Sequence, residues 1–229
     1  VAVLIAAVVF FQKNGPAQPL EMASTDVVRH EKLPDGSTID LNQHSKIRAD
    51  FSKKGRRIEL AGEAFFEVAH DTERPFTVVV GNFEVTAVGT AFNVDESDPA
   101  RVIVRMAEGK VQLKSGTEID FLVAGEEAFF ERATGRILTS KMSQVAPANA
   151  WLDRRFDFDG TPLSEVLPVL EKAYKVRISL KNKELGNCKL RTRFSNEPVE
   201  RVVEVLAETF SLKIEQADGQ FLLDGEGCD

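Results

Sequence analysis

Three histidines, two cysteines, a short run of carboxylates and the Gly89-Thr90 step are the residues from which this chain could assemble chemistry. His30, His44 and His70 stand apart from one another. None shows the HxH or HExxH spacing, or the nearby cysteine, that builds a zinc site, so no metal is expected. Glu63 and Glu67 fall on one face of a strand, with Asp71 close behind. A glycosidase uses such a carboxylate pair, and a solvated strand face carries the same pattern. No GxSxG, P-loop or dinucleotide fingerprint occurs. The Gly89-Thr90 step in VGTAF offers a different reaction. A threonine hydroxyl can attack the carbonyl of the residue before it, turning the amide into an ester that water then cleaves, and glycine leaves the attack path open. The other reading is a glycine-permitted bend between strands, with Thr90 a good strand residue.

These residues must be carried by the surrounding elements. At 229 residues the chain has room for one large or two modest domains. Its net charge of −7, with no clustered basic stripe, argues against nucleic acid. Two cysteines, Cys188 and Cys228, allow one bridge in an oxidising compartment. The opening run VAVLIAAVVFF (1–11) is too short by itself to span a bilayer, which takes about 20 apolar residues. Residues 12–24, with two prolines, read as a linker. From 25 to 138 short apolar–polar alternations are broken by turn residues such as Pro34-Asp35-Gly36 and Gly81-Asn82, which predicts an all-β unit. A sandwich, an open barrel and a solenoid-like stack all fit. Residues 139–150 read as a second linker.

The last part, 151–229, repeats itself. Residues 155–180 superpose on 191–216 at a shift of 36, so that Phe158 meets Phe194, Pro162 meets Pro198 and Leu170 meets Leu206. Each copy reads strand, helix with proline at its first position, strand. Two βαβ copies predict a small α+β domain with two helices on one sheet. Pro168 falls inside the first helix but on its outer face.

LxGEAFFEVAHDxxRPFxV followed by VxGTxFNV, with LPDGSTIDLN before them and MAEGKVQL and FLVAGEEAFF after, resembles the periplasmic region of FecR-type anti-sigma regulators. The repeated segment resembles the short signalling (STN-like) domain found in secretins, TonB-dependent transporters and the C-terminus of FecR-type regulators. The resemblance favours a twisted, solenoid-like stack for 25–138. It implies an inner-membrane, single-pass protein with this region in the periplasm. Residues 1–11 would then be the outer end of a transmembrane helix, and a cytoplasmic sigma-binding domain would lie outside this sequence. It further implies that the signalling domain of a TonB-dependent outer-membrane transporter engages this region. Regulated proteolysis would then act on an extracytoplasmic-function sigma factor. No cofactor and no enzyme activity are expected beyond a single-turnover self-cleavage at Gly89-Thr90, which some members of the family perform. The rival classes are a β-rich adhesion or carbohydrate-binding module and a hydrolase using Glu63 and Glu67.

Two further expectations concern the repeated domain. Cys188 opens the strand of the second copy and Cys228 follows the last strand. With those strands as neighbours in one sheet, and in an oxidising periplasm, a Cys188–Cys228 disulfide is expected. Val169 and Val205 occupy matching places in the two copies, off the centre of each helix's apolar stripe. They are expected at the rim of a surface where the transporter domain adds a strand, unless they pack on the β unit.

Overall fold

The computed structural model describes residues 19–52, 55–142, 147–217 and 219–228. The apolar run 1–11, and with it the expected end of a membrane helix, lies outside them. Among the described residues no helix is long and apolar enough to cross a membrane. The chain divides into two compact units between Ser140 and Lys141.

The first unit is all strand: β1 (Leu20–Ala23), β2 (Arg29–Lys32), β3 (Thr38–Leu41), β4 (Lys46–Ser52), β5 (Gly55–Ala61), β6 (Glu63–Glu67), β7 (Phe76–Val80), β8 (Phe83–Ala87), β9 (Ala91–Asp95), β10 (Arg101–Glu108), β11 (Lys110–Ser115), β12 (Glu118–Val123), β13 (Glu126–Glu131) and β14 (Ile137–Lys141). They form two seven-stranded sheets, β1-β4-β5-β7-β8-β11-β12 and β14-β13-β10-β9-β6-β3-β2. Read from one end, each sheet takes its strands in chain order. The chain crosses between sheets every one or two strands, so it winds progressively along a sandwich. The sandwich-like and solenoid-like readings therefore describe one object: two sheets face each other, and the winding supplies the progression.

The turn residues explain the crossing. Gly62 alone separates β5 from β6, too tightly for a hairpin, and it adopts φ 101°, so the chain changes sheet instead. It returns through 68–75 to β7, which therefore lies parallel to β5, while β5 pairs antiparallel with β4 and β7 antiparallel with β8. Alternating residues of both sheets meet in one apolar core, where Phe66 stacks on Phe92 at 5.3 Å and Phe83 on Phe130 at 4.7 Å between ring centroids.

The second unit contains α1 (Ala150–Asp153), β15 (Arg155–Pro162), α2 (Leu163–Tyr174), β16 (Arg177–Leu180), a 3-10 turn (Lys183–Asn187), β17 (Lys189–Ser195), α3 (Val199–Phe210), β18 (Lys213–Ala217) and β19 (Gln220–Asp224). The duplication is carried into the backbone. Both helices have 12 residues and end in a left-handed residue, Lys175 at φ 54° and Ser211 at φ 52°. β15 pairs antiparallel with β17 so that Asp157 faces Arg193, Phe156 faces Phe194 and Phe158 faces Thr192. Each of these pairs maps onto itself or onto another when the copies are exchanged, so the copies are related by an approximate two-fold through Asp157 and Arg193.

Several expectations change. The presumed single sheet under the helices is two: β15-β17, and β16-β19-β18. β16 is parallel to β19 and β18 antiparallel to it, so β19 separates the two strands that the repeat relates. The prolines sit one residue earlier than expected, as the caps Pro162 and Pro198 in extended conformation. The 12–24 linker reading is wrong at its end: Leu20–Ala23 is β1, held by pairing with β4 and by burial of Met22. Likewise β14 runs on to Lys141, and Ala148 and Ala150 are buried rather than part of a solvated linker.

Candidate functional site

Gly89 and Thr90 lead into β9, in the interior of the second sheet, and two neighbouring segments clamp them. On one side the β6–β9 ladder runs past its last pair, Glu67 and Ala91. The Val68 N–H donates to the Thr90 carbonyl at 2.9 Å, and the Asp71 N–H to the Val88 carbonyl at 2.9 Å. One extra residue is accommodated between those bonds, and His70 stands opposite Gly89. A Cβ on Gly89 would lie 2.6 Å from His70 Nδ1 and 3.1 Å from His70 Cα, so only glycine admits the imidazole there. On the other side the β9–β10 register shifts between Met106 and Glu108. This brings Gly109 (φ 83°) so close that a Cβ on it would stand 2.7 Å from Thr90 Cγ2 and 3.3 Å from the Gly89 carbonyl oxygen.

Thr90 is 8% exposed, and its Oγ1 is buried without a hydrogen-bond partner. Such a hydroxyl costs about 1–3 kcal/mol of desolvation, which its neighbours do not recover. An open cavity of about 340 Å³ lies over the step, lined among others by Thr38, Glu67, His70 and Glu108.

The loop that carries His70 is fixed by buried charge. Arg56 and Asp35, whose side chains are 1% and 2% exposed, form an ion pair at 2.7 Å. Arg56 also donates to the Ala69 carbonyl at 2.9 Å and the Arg74 carbonyl at 2.8 Å, on both sides of His70. Asp35 belongs to the Pro34-Asp35-Gly36 turn, and it accepts from the Ser37 hydroxyl, which in turn accepts from the Ala69 N–H at 3.0 Å. Asp71 closes the loop by accepting from the Glu73 and Arg74 N–H groups and from Arg74 Nε. The Arg74 side chain, then its backbone N–H, hold the Asp71 carboxyl below its ordinary range.

The remaining sequence candidates do not converge on this place. Glu63 is buried and accepts from Asn42 at 2.7 Å and Asn93 at 3.0 Å, tying β6 to its two neighbours in the sheet, while Glu67 is exposed and accepts from Thr38 at 2.8 Å. The pair expected on one face thus splits into a strand clamp and a surface bond. His30 pairs with Asp40 at 2.7 Å and His44 with Asp26 at 3.4 Å. Among the described residues no group of three or more His, Cys, Asp or Glu side chains is arranged to hold a metal. By sequence spacing alone His70 is an isolated histidine. Its contact with Gly89 comes from the β6–β9 ladder, which residue spacing does not reveal.

In the second unit Cys188 and Cys228 are bonded, with Cα atoms 5.5 Å apart. The expected reason does not hold, because β17 and β19 lie in different sheets. The tail reaches Cys188 because Asn182 donates to the Gly225 and Glu226 carbonyls at 3.2 Å each. Val169 and Val205 are half-buried and pack against the unit's own core, so each helix's apolar stripe is wider than expected. Pro168 is exposed, as its place on the outer face requires.

A β unit wound from paired strands and followed by a duplicated βαβ unit defines the class of protein. The family model described as "FecR protein" matches residues 23–112, and the model "FecR, C-terminal" matches residues 155–223. The chain belongs to the FecR family. It is similar to two crystal structures, at 2.50 and 1.65 Å resolution, of a protein from Parabacteroides distasonis ATCC 8503 described as a candidate anti-sigma factor. Each is 25% identical with a TM-score of 0.65, and the matches cover 91% and 92% of this chain and 100% of those chains. No curated protein matches the sequence.

Proposed function

We propose that this chain is the signal-receiving region of a FecR-type anti-sigma factor, held in the periplasm by a single inner-membrane span. It relays the state of a TonB-dependent outer-membrane transporter to an extracytoplasmic-function sigma factor, which a cytoplasmic domain outside this sequence would bind. The observation that carries this reading is the pair of family matches, one on each compact unit and in the family's order. The similarity to structures described as a candidate anti-sigma factor supports the same role. The transporter's signalling domain docks on the second unit, at the exposed edge strand β18, with the uncovered parts of Val169 and Val205 at the rim. β18 supports strand addition because all five of its residues are exposed and β19 covers one edge only. The test is titration calorimetry of this chain with the signalling domain of a transporter encoded beside it, together with a sigma-dependent reporter in cells. Binding, and a reporter response lost on deleting residues 151–229, is the expected result. Absence of both would end the reading.

The relay includes one covalent step: the chain cuts itself once, between Gly89 and Thr90. The buried, unpaired Thr90 hydroxyl beside a glycine carbonyl favours this. Denaturing gels and mass spectrometry of freshly purified protein should give two fragments meeting at that bond, and Thr90→Ala one full-length band. A single full-length wild-type band would remove the step.

A further inference from the structure

We propose that His70 is the proton-transfer group of the Gly89-Thr90 self-cleavage, an inference that rests on the self-cleavage reading above. The reaction needs a base at one place. The Thr90 Oγ–H bond breaks as Oγ attacks the Gly89 carbonyl carbon. The carbon–nitrogen bond then breaks, and the proton taken from Oγ is returned to the departing Thr90 nitrogen. The product is an ester with a free α-amino group, an isomer of the starting chain. Water then hydrolyses the ester to a Gly89 carboxylate and restores the Thr90 hydroxyl. No oxidant or further reactant is required.

The geometry places an imidazole against that peptide. His70 Nδ1 occupies the space that a side chain on Gly89 would fill, 2.6 Å from where its Cβ would stand. The two ladder bonds at Val68 and Asp71 fix it opposite the scissile residue. Arg56, bonded to the carbonyls of Ala69 and Arg74, holds the loop against the sheet. The Thr90 hydroxyl has no competing acceptor, so no hydrogen bond must be broken before its proton moves. Gly109 leaves the Thr90 side chain and the Gly89 carbonyl oxygen just enough room. His70 is exposed to the cavity, through which water for the second step enters.

The other titratable groups around the imidazole are Glu67, Glu108 and Asp71. Glu67 accepts from Thr38, and Asp71 is held by Arg74. Glu108 lines the cavity and is the rival base.

The experiment follows fragment appearance in the full chain over time, by denaturing gel, for wild type, His70→Ala, His70→Gln, Glu108→Gln and Thr90→Ala. Circular dichroism checks that each folds. A general base is worth on the order of a hundredfold or more in rate, so His70→Ala and His70→Gln should both slow the cut by about that factor. The wild-type rate should rise with pH as the imidazole loses its proton, and His70→Ala should flatten that profile. Added imidazole should restore part of the lost rate in folded His70→Ala, which a purely structural role would not allow. His70→Ala cutting at the wild-type rate, or Glu108→Gln slowing the cut while His70→Ala does not, overturns the assignment but leaves self-cleavage standing. Uncut wild type overturns both.

Discussion

The two units solve the same problem, holding short strands in register, by opposite means. The β unit puts charge and polarity inside: the Arg56–Asp35 pair, Glu63 between two asparagines, and the unpaired Thr90 hydroxyl are all buried. The α+β unit repeats one apolar pattern twice, ties its tail with a disulfide and leaves its cross-strand ion pairs in water. Arg193–Asp157 and Arg191–Asp159 are both 2.8 Å long, with the arginine side chains 81% exposed. Buried polar groups direct particular loops and are costly to disturb. Repetition with a cross-link gives stability without directing any loop. The candidate chemistry lies in the unit of the first kind, where a loop must be held against a glycine.

The largest contrast is between two arginines. Arg56→Met leaves Asp35 charged and buried and releases the Ala69 and Arg74 carbonyls, so it should destabilise the β unit by about 3–5 kcal/mol. Arg193→Met breaks an exposed pair and should cost about 0–1 kcal/mol. Denaturant unfolding followed by circular dichroism measures both. Trp151, the single tryptophan, is buried in the second unit, so its fluorescence should scarcely move for Arg56→Met. Equal costs for the two substitutions would erase the distinction between the units.

Next comes the cross-link. Cys188 and Cys228 are 40 residues apart in sequence, and a loop of that length is worth about 3–4 kcal/mol on the chain-entropy model. The double substitution Cys188→Ser/Cys228→Ser should lower the Trp151 unfolding transition by about that much and leave the β unit's transition in place. A shift under about 1 kcal/mol would mean that repetition alone holds the unit.

Period-two alternation and turn chemistry made the strands of the β unit legible, because both are local. The turns at Pro34-Asp35-Gly36 and Gly81-Asn82 could be placed from single residues. The 36-residue repeat exposed the two helices and the matched prolines at their starts. What stayed hidden is pairing between distant segments. Leu20–Ala23 looked like linker because only its partner strand, β4, makes it a strand. The repeat suggested one sheet, whereas β19, which belongs to neither copy, inserts between β16 and β18. Gly89-Thr90 stood out from Gly116-Thr117 and Gly160-Thr161 only through the family resemblance of VGTAF. His70 did not, since a one-residue irregularity in a long-range ladder puts it against Gly89. The buried Arg56 was likewise unreadable within an alternating strand.

Smaller in energy, but aimed at the site, is Thr90→Val. It keeps the shape and removes a buried hydroxyl that has no partner. Stability should therefore stay level or rise by about 1 kcal/mol, and the proposed self-cleavage should be absent. Loss of more than about 1 kcal/mol would show that the hydroxyl is satisfied in solution, and the desolvation cost ascribed to it would be wrong.

The last prediction tests whether the loop bearing His70 is held from outside as well as from within. Asp71 is exposed enough to titrate in water, and Arg74 lowers its carboxyl from an ordinary 3.8. A lowered folded value means that the ionised form is favoured in the folded chain. Its contribution is therefore present above about pH 4, where the unfolded carboxyl is also ionised, and it fades as pH falls through the lowered folded value. Asp71→Asn has no charge to lose. The wild type should thus melt slightly above Asp71→Asn at pH 7, and the gap should close toward pH 3 and below. The effect is small because the pair is solvated. Thermal melts of both proteins across that range measure it. A gap that widens in acid would reverse the sign and place the loop's anchor on Arg56 alone.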